Sequence, residues 1–243
     1  MKIGSSIWRL FNYGPMALLI YSFERFSNKP DTSPKFSELN SIGLILNIEN
    51  KNLWNEEMNL LICQKANVLR TSLLNQEVKN VFDNLTITRI AVVGALLNTR
   101  KFDAVVETGT QNGISISLIN FIRDLINFDF QIFTVDVASM PKIFEKNVKY
   151  IKLKWPARYH FKKFFKYKTW NNTIFFHDSD HSKENMIFEY KYAWQKMKVA
   201  AIVSDDVLQN DAFMSFSKSI NHLPLYFKLD SGPVVGLIIR RCI

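Results

Sequence analysis

The sequence predicts an α/β protein: a doubly wound, seven-stranded sheet, mostly parallel with an antiparallel C-terminal strand, preceded by N-terminal helices. Four short apolar runs each stop at an acid: Glu107 after Ala104-Val105-Val106, Asp136 after Ile132-Phe133-Thr134-Val135, Asp178 after Ile174-Phe175-Phe176-His177, and Asp205-Asp206 after Ala201-Ile202-Val203-Ser204. Buried parallel strands read as continuous apolar runs, and open α/β sheets bind ligands outside the carboxyl ends of their strands. From Lys101 onward strand-like and helix-like segments alternate, as a doubly wound sheet requires. Near the end, Ser231-Gly232-Pro233 leaves a connection too short for a crossover helix, so the last two strands must pair antiparallel.

The elements follow in order. Residues 1 to about 50 have weak periodicity and a Ser/Asn/Pro/Lys-rich stretch from Ser27 to Ser41 that reads as a loop. Within them, Pro15–Phe23 is the one apolar stretch with a targeting look. Its nine residues before Glu24-Arg25 are too few to span a bilayer, and no small-residue cleavage site follows. A packed or partner-facing helix is the expectation, with a membrane-surface anchor as the alternative. Between residues 53 and 99, Leu53, Met58, Leu61, Ile62, Val68, Leu69, Leu73, Leu74, Val78, Val81 and Phe82 recur at helical spacing, which predicts two or three helices. Strands are expected at 103–108, 131–137, 148–153, 173–178, 200–205, 224–229 and 234–240, with helices at 113–126, 142–147, 158–166, 182–197 and 209–220. This divides the chain into an N-terminal accessory helical segment, 1–85, and a sheet domain, 86–243.

With 243 residues and 47% hydrophobic content the chain can bury a sizeable core. Cys63 and Cys242 lie far apart, which gives neither a disulfide framework nor a zinc spacing, so a reducing, cytoplasmic setting is the default expectation. The net charge of +9 is concentrated. Ten basic residues lie between Lys142 and Lys168 against one acid, Glu145, while the rest of the chain balances.

The chemistry gathers at the strand ends. Glu107-Thr108-Gly109-Thr110-Gln111-Asn112-Gly113 joins the first core strand to a helix starting near Ile114; Gly109 and Gly113 allow a sharp turn, and the helix start offers unpaired N–H groups. An acid beside such a loop is a poor neighbour for a pyrophosphate, which argues against a dinucleotide. Asp136 ends the next strand, where a carboxylate can accept hydrogen bonds from both hydroxyls of a ribose. Asp178 and the Asp205-Asp206 pair fall on strand ends expected to be neighbours, and three crowded carboxylates call for a cation or protons. Oxygen ligands select a hard divalent ion, magnesium or calcium first and manganese next. The plainer alternative is that Asp180 caps the helix near Ser182 and that Asp205 or Asp206 caps a turn. His181, three residues beyond Asp178, is placed to take a proton near neutral pH, whereas His177 lies on the strand itself and is expected to be packed.

With these positions assigned, residues from about Arg89 to Arg240 resemble the class I S-adenosylmethionine-dependent methyltransferases, a Rossmann-like family. The resemblance is nearest to the branch of macrolide-sugar O-methyltransferases and cephalosporin-hydroxylase-like proteins. It rests on Val106–Gly113, Thr134-Val135-Asp136, Phe176–Ser182, Val203–Val207 and the late Gly236-Leu237. It implies that Glu107, Gly109, Thr110 and Gly113 shape the amino-acid end of an S-adenosylmethionine pocket and that Asp136 binds the ribose. It further implies that Asp178, Asp205 and Asp206 hold Mg, with His181 as general base. Many members carry a third glycine where this chain has Gln111. The implied reaction is methyl transfer to a hydroxyl of a sugar or another small diol.

The basic segment interleaves its lysines with Trp155, Tyr159, Phe161, Phe164, Phe165, Tyr167 and Trp170. One reading is an amphipathic strand and helix with aromatics inside and lysines outside. Another is a surface for an anionic substrate carrier or a membrane face; nucleic acid is disfavoured because no nucleic-acid module is recognisable elsewhere. A homo-oligomer is compatible with the sequence. The competing functions are a diverged, hydroxylase-like protein of the same fold and a non-catalytic basic binding module for nucleic acid or anionic lipid.

Overall fold

Each apolar run forms a strand because its residues are needed on both sides of a sheet covered by helices. A computed structural model describes residues 55–74, 87–99, 102–138, 141, 145–166, 170–228 and 233–240. The N-terminal apolar stretch and loop, Cys242, Lys142, Lys168 and Ser231-Gly232 lie outside the described residues. In order the elements are α1 (Glu56–Leu74), α2 (Ile87–Asn98), β1 (Ala104–Thr108), α3 (Ile114–Ile126), β2 (Gln131–Asp136), β3 (Val148–Lys152), α4 (Ala157–Phe165), β4 (Thr173–His177), α5 (Lys183–Lys191), β5 (Ala201–Ser204), α6 (Ala212–Ser219), β6 (Leu225–Phe227) and β7 (Val235–Ile239). All seven expected strands form, each within the expected bounds. The helix expected over 142–147 does not form in its described part: Glu145–Asn147 is a turn, closed by the Val148 N–H donating to the Glu145 carbonyl, that leads directly into β3. The long helix expected over 182–197 is α-helical only to Lys191 and then widens into a π turn, Tyr192–Met197, which Lys198 ends at φ 60°.

The strand order is β3-β2-β1-β4-β5-β7-β6. The first five strands run parallel, and β7 lies antiparallel between β5 and β6. The winding therefore reverses between β1 and β4, and a crevice opens at their carboxyl ends.

Side-chain alternation divides the core into two layers. On one face Val105, Ile132, Ile174, Phe176, Ala201 and Val203 meet α1, α2 and α3 through Ile62, Ala66, Leu69, Ile90, Leu97, Ile116 and Ile119. On the other, Val106, Phe133, Val135, Phe175 and Ile202 meet α4, α5 and α6 through Phe161, Phe165, Met186, Tyr190, Phe213 and Phe216. The aromatics of the basic segment thus divide. Phe161, Phe165 and Trp170 are core, whereas Trp155 and Tyr159 are 67% and 61% exposed. Some cations cover aromatic faces: Lys149 Nζ stands 5.1 Å from the ring centre of Phe133, and Lys162 Nζ 5.4 Å from that of Phe188. Among the described residues no helix is long and apolar enough to cross a membrane.

Gly236 on β7 leaves the space that the Phe213 ring occupies; a Cβ there would collide with the ring. Gly236→Ala is expected to destabilise the protein by about 1–3 kcal/mol through overpacking. Urea unfolding measures this, and an unchanged midpoint would show that Phe213 can retreat.

Candidate active site

The same alternation that builds the core places the acids. On β1 Glu107 follows Val105 in parity, on β2 Thr134 and Asp136 follow Ile132, on β4 Asp178 follows Phe176, and on β5 Asp205 follows Val203. All five therefore belong to the face covered by α2. The register holds past the strand ends, where Asp178 N–H donates to the Thr108 carbonyl and Asp205 N–H to the His177 carbonyl, so the two carboxylates stand level on adjacent strands. Asp206, one residue further, is out of parity. It takes φ 53° and its Oδ2 accepts from Gln209 Nε2 at 2.5 Å.

Arg89, on α2, closes this cluster. Its Nη1 lies 2.9 Å from Asp178 Oδ1, 2.8 Å from Asp178 Oδ2 and 2.6 Å from Asp205 Oδ2. Burial works against the guanidinium charge, but attraction to Asp178 and Asp205 and the hydrogen bond to Asp205 outweigh it and hold Arg89 above its ordinary value. Burial drives the Asp178 carboxyl well upward; Arg89 pulls it back, while Asp205, Glu107 and Asp206 push it the same way as burial. The clamp is thus what lets two level carboxylates share a dry strand end. Sequence reasoning missed Arg89. Its signal was available, because it is the single charge in the otherwise apolar helix Ile-Thr-Arg-Ile-Ala-Val-Val-Gly-Ala-Leu-Leu-Asn.

Glu107 anchors the loop that follows β1. Thr134, its register partner on β2, donates to Glu107 Oε2 at 2.6 Å, and Thr134 and Thr110 hydroxyls lie 2.5 Å apart. A hydroxyl has one proton, so Thr110 is the donor in the second bond. Glu107 Oε1 has no hydrogen-bond partner among the described residues. Gly109, at φ 91°, lies against the backbone of Asp178 so closely that a Cβ would collide with its carbonyl. Gly113, at φ 85°, caps α3. Gln111 keeps a left-handed φ of 47° and its N–H donates to Asp136 Oδ2 at 2.9 Å. The other Asp136 oxygen accepts from Ala138 N–H at 2.9 Å, and each oxygen retains a lone pair for a ligand.

The opposite face carries a second polar network that sequence reasoning did not join. Thr108 and His177 are register partners, and both reach Glu189 of α5: Thr108 Oγ1 donates to Oε2 at 2.7 Å, and His177 Nδ1 lies 2.8 Å from Oε2. Ser179 Oγ and Asn185 Nδ2 donate to Oε1 at 2.9 and 3.1 Å. Burial raises Glu189, but His177 and the hydrogen bonds from Thr108 and Ser179 outweigh it and leave its carboxyl below the ordinary value. An ionised carboxylate only accepts, so His177 carries its proton on Nδ1. Nothing in the sequence separates Glu189 from an ordinary acid on a helix.

A cavity of about 410 Å³ opens between these networks at the β1–β4 crevice. Its floor and walls include Gly109, Gln111, Asp136, Asp178 and Glu189, and its apolar end is formed by Val137, Leu153, Phe161 and Phe188. Gly109, Asp136 and Asp178 line one cavity, whereas Glu107, Thr110, Gly113, His181, Asp205 and Asp206 are not among its lining residues; Glu107 and Thr110 are buried. Asp178, His181 and Asp205 form a set in which one ligand atom from each lies within 4.8 Å of the others. Asp205 Oδ1 has no hydrogen-bond partner among the described residues, which suits a donor set open to a hard cation. Asp180 receives Ser182 N–H and Oγ, and Ser182 itself caps α5 by accepting from Asn185 N–H at 3.4 Å.

Burial pushes the Glu107 carboxyl from an ordinary 4.5 up to about 7, against the pull of Thr134 and Arg89. The folded chain then holds a proton that the unfolded chain releases, so stability falls as pH rises from about 4.5 to 7 and stays lower above that window. Glu107→Gln should remove this loss, on the order of 3 kcal/mol. Urea midpoints at pH 5 and pH 8 check it: the variant gains on the wild type at pH 8, and an equal offset at both would refute the assignment.

No protein-family model matches the sequence, and no curated protein matches it. Among solved structures, apo CmcI-N160 superposes with a TM-score of 0.51 at 14% identity, over 92% of this chain and 96% of that one. An S-adenosylhomocysteine-bound methyltransferase of Podospora anserina, PaMTH1, gives 0.47 at 15% identity over 87% and 99%, and an Mg-SAM structure of CmcI-D160 gives 0.46 at 14% over 92% and 96%. At such identities the likeness is one of fold. The chain has the Rossmann-like fold of the class I methyltransferases.

Proposed function

We propose that this protein is an S-adenosylmethionine-dependent O-methyltransferase acting on a hydroxyl of a sugar or another small diol, assisted by Mg. The observation that carries the reading is the convergence of Gly109, Asp136 and Asp178 on one cavity at the sheet's switch point, with Asp205 level beside them. S-adenosylmethionine, when bound, supplies an activated methyl group, so little covalent chemistry is asked of the protein.

The chain's own residues divide the work. Asp136, held by Gln111 and Ala138 N–H groups, offers its remaining lone pairs to the ribose hydroxyls. Gly109 brings the backbone close to the ligand, and Glu107, Thr134, Thr110 and Gly113 hold the loop in position. Val137, Leu153, Phe161 and Phe188 provide a dry wall for a flat apolar group. Asp178 and Asp205 are the carboxylates that would hold Mg, whereas Asp206, turned toward Gln209, lies outside the set they form with His181; the ion would supply acidity to a bound hydroxyl. His181 accepts the hydroxyl proton. It sits with its ring 5.3 Å from that of His177, and its backbone carbonyl is fixed by Asn210 Nδ2 at 2.9 Å. Because His181 also belongs to the set with Asp178 and Asp205, ligation of the ion is a second role open to it.

Substrate choice is read from the cavity mouth. Arg158 and Ala157 line it, and exposed Trp155 and Tyr159 flank them on the basic segment. Arg158, whose Nη1 pairs with exposed Glu184 at 2.6 Å, would exchange that partner for an anionic carrier of the acceptor, such as a nucleotide-linked sugar, with Trp155 and Tyr159 offering aromatic faces beside it.

Calorimetry with S-adenosylhomocysteine tests the cofactor assignment. Binding is expected in the wild type, weakened at least tenfold in Asp136→Asn, and changed only severalfold in Asp205→Asn. No binding by the wild type would refute the methyltransferase reading; equal losses in both variants would mean that Asp205 belongs to the cofactor site.

A further inference from the structure

Arg89 Nη1 lies 2.8 and 2.9 Å from the two oxygens of Asp178 and 2.6 Å from Asp205 Oδ2. It therefore fills the notch between both oxygens of one carboxylate while touching the other, which is how a hard cation sits on a carboxylate pair. A magnesium or manganese ion on these oxygens would bond them at about 2.1 Å. Ion and guanidinium would then share the same oxygens in near contact, two like charges in a site from which Asp178 and Asp205 are almost excluded from water.

We propose that Arg89 and a divalent ion are alternative occupants of one position between Asp178 and Asp205, so that Arg89 is a built-in cation against which metal must compete. The proposal rests on the reading of Asp178, His181 and Asp205 as a metal-capable set. Arg89 keeps the strand ends bridged and their repulsion reduced when no metal is bound. When an ion binds, the guanidinium gives up Asp205 and the notch of Asp178. Its Nε has no hydrogen-bond partner among the described residues, so no bond at that nitrogen resists the shift. The result is a site with low divalent-ion affinity that is nonetheless ordered without the ion. Cofactor binding, which uses Asp136 and Gly109, stays independent of the exchange.

Manganese alone is the probe, titrated calorimetrically into the whole protein. Arg89→Gln is expected to bind Mn²⁺ at least tenfold more tightly than the wild type, and adding Asp205→Asn to it should abolish the gain. Arg89→Lys separates competition from a general field: lysine keeps the charge but reaches less far, so competition predicts a partial gain, and a field effect predicts none. Should Arg89→Gln fold poorly, Mn²⁺ should raise its Tm more than it raises that of the wild type or of Arg89→Lys. Equal Mn²⁺ affinity in all three proteins would overturn the competition and leave a metal site; no Mn²⁺ binding in any would overturn both. S-adenosylhomocysteine affinity, measured on the same samples, reports on the methyltransferase reading separately.

Discussion

Two carboxylates at the ends of adjacent strands, bridged by one guanidinium from a covering helix, are the constraint on which the rest of this site depends. Asp178 and Asp205 are level because β4 and β5 are parallel and in register, and they point the same way because each lies two residues beyond a core residue of the same layer. Left alone, such a pair would repel and be costly to bury. Arg89 resolves this at 2.6 to 2.9 Å from both. Helix α2 is thereby tied to the carboxyl ends of β4 and β5, beside the crevice where the winding reverses.

The crevice has a division of labour between the sheet's two faces. Toward α2, Glu107 and its threonine partners brace the loop that carries Gly109 and Gly113. Toward α5, Glu189 gathers Thr108, His177, Ser179 and Asn185 and ties α5 to the ends of β1 and β4. Both networks are buried and nearly all of their members are satisfied, which makes them rigid supports. Spare hydrogen-bonding capacity is left on Asp136, which lines the cavity, and on Asp205, whose Oδ1 has no partner among the described residues.

Much of this was legible in the sequence because buried parallel strands announce themselves as apolar runs, and each run here ends in an acid. The reversal at β7 was legible because the short connection around Ser231-Gly232-Pro233 cannot carry a crossover helix. The site was less so where the deciding information is spatial. Asp205 and Asp206 are indistinguishable as neighbours in sequence, yet parity sends one toward Arg89 and leaves the other beside Gln209. Arg89 and Glu189 were missed because a charge on a helix is ordinarily a solvated one; only the apolar company of Arg89 marks it. Gln111 shows the converse, since a non-glycine holds the φ 47° turn through its N–H bond to Asp136. The turn at Glu145–Asn147 was misread because lysines spaced along a short segment imitate a helix face.

The central claim is that the Arg89 clamp, and not merely the surrounding core, holds the strand ends together. A double-mutant cycle with Arg89→Met and Asp205→Asn, read by urea unfolding at low metal concentration, measures it directly. The account predicts an interaction energy above about 1.5 kcal/mol, because removing one partner leaves the other charge buried. Additivity within about 0.5 kcal/mol would contradict it.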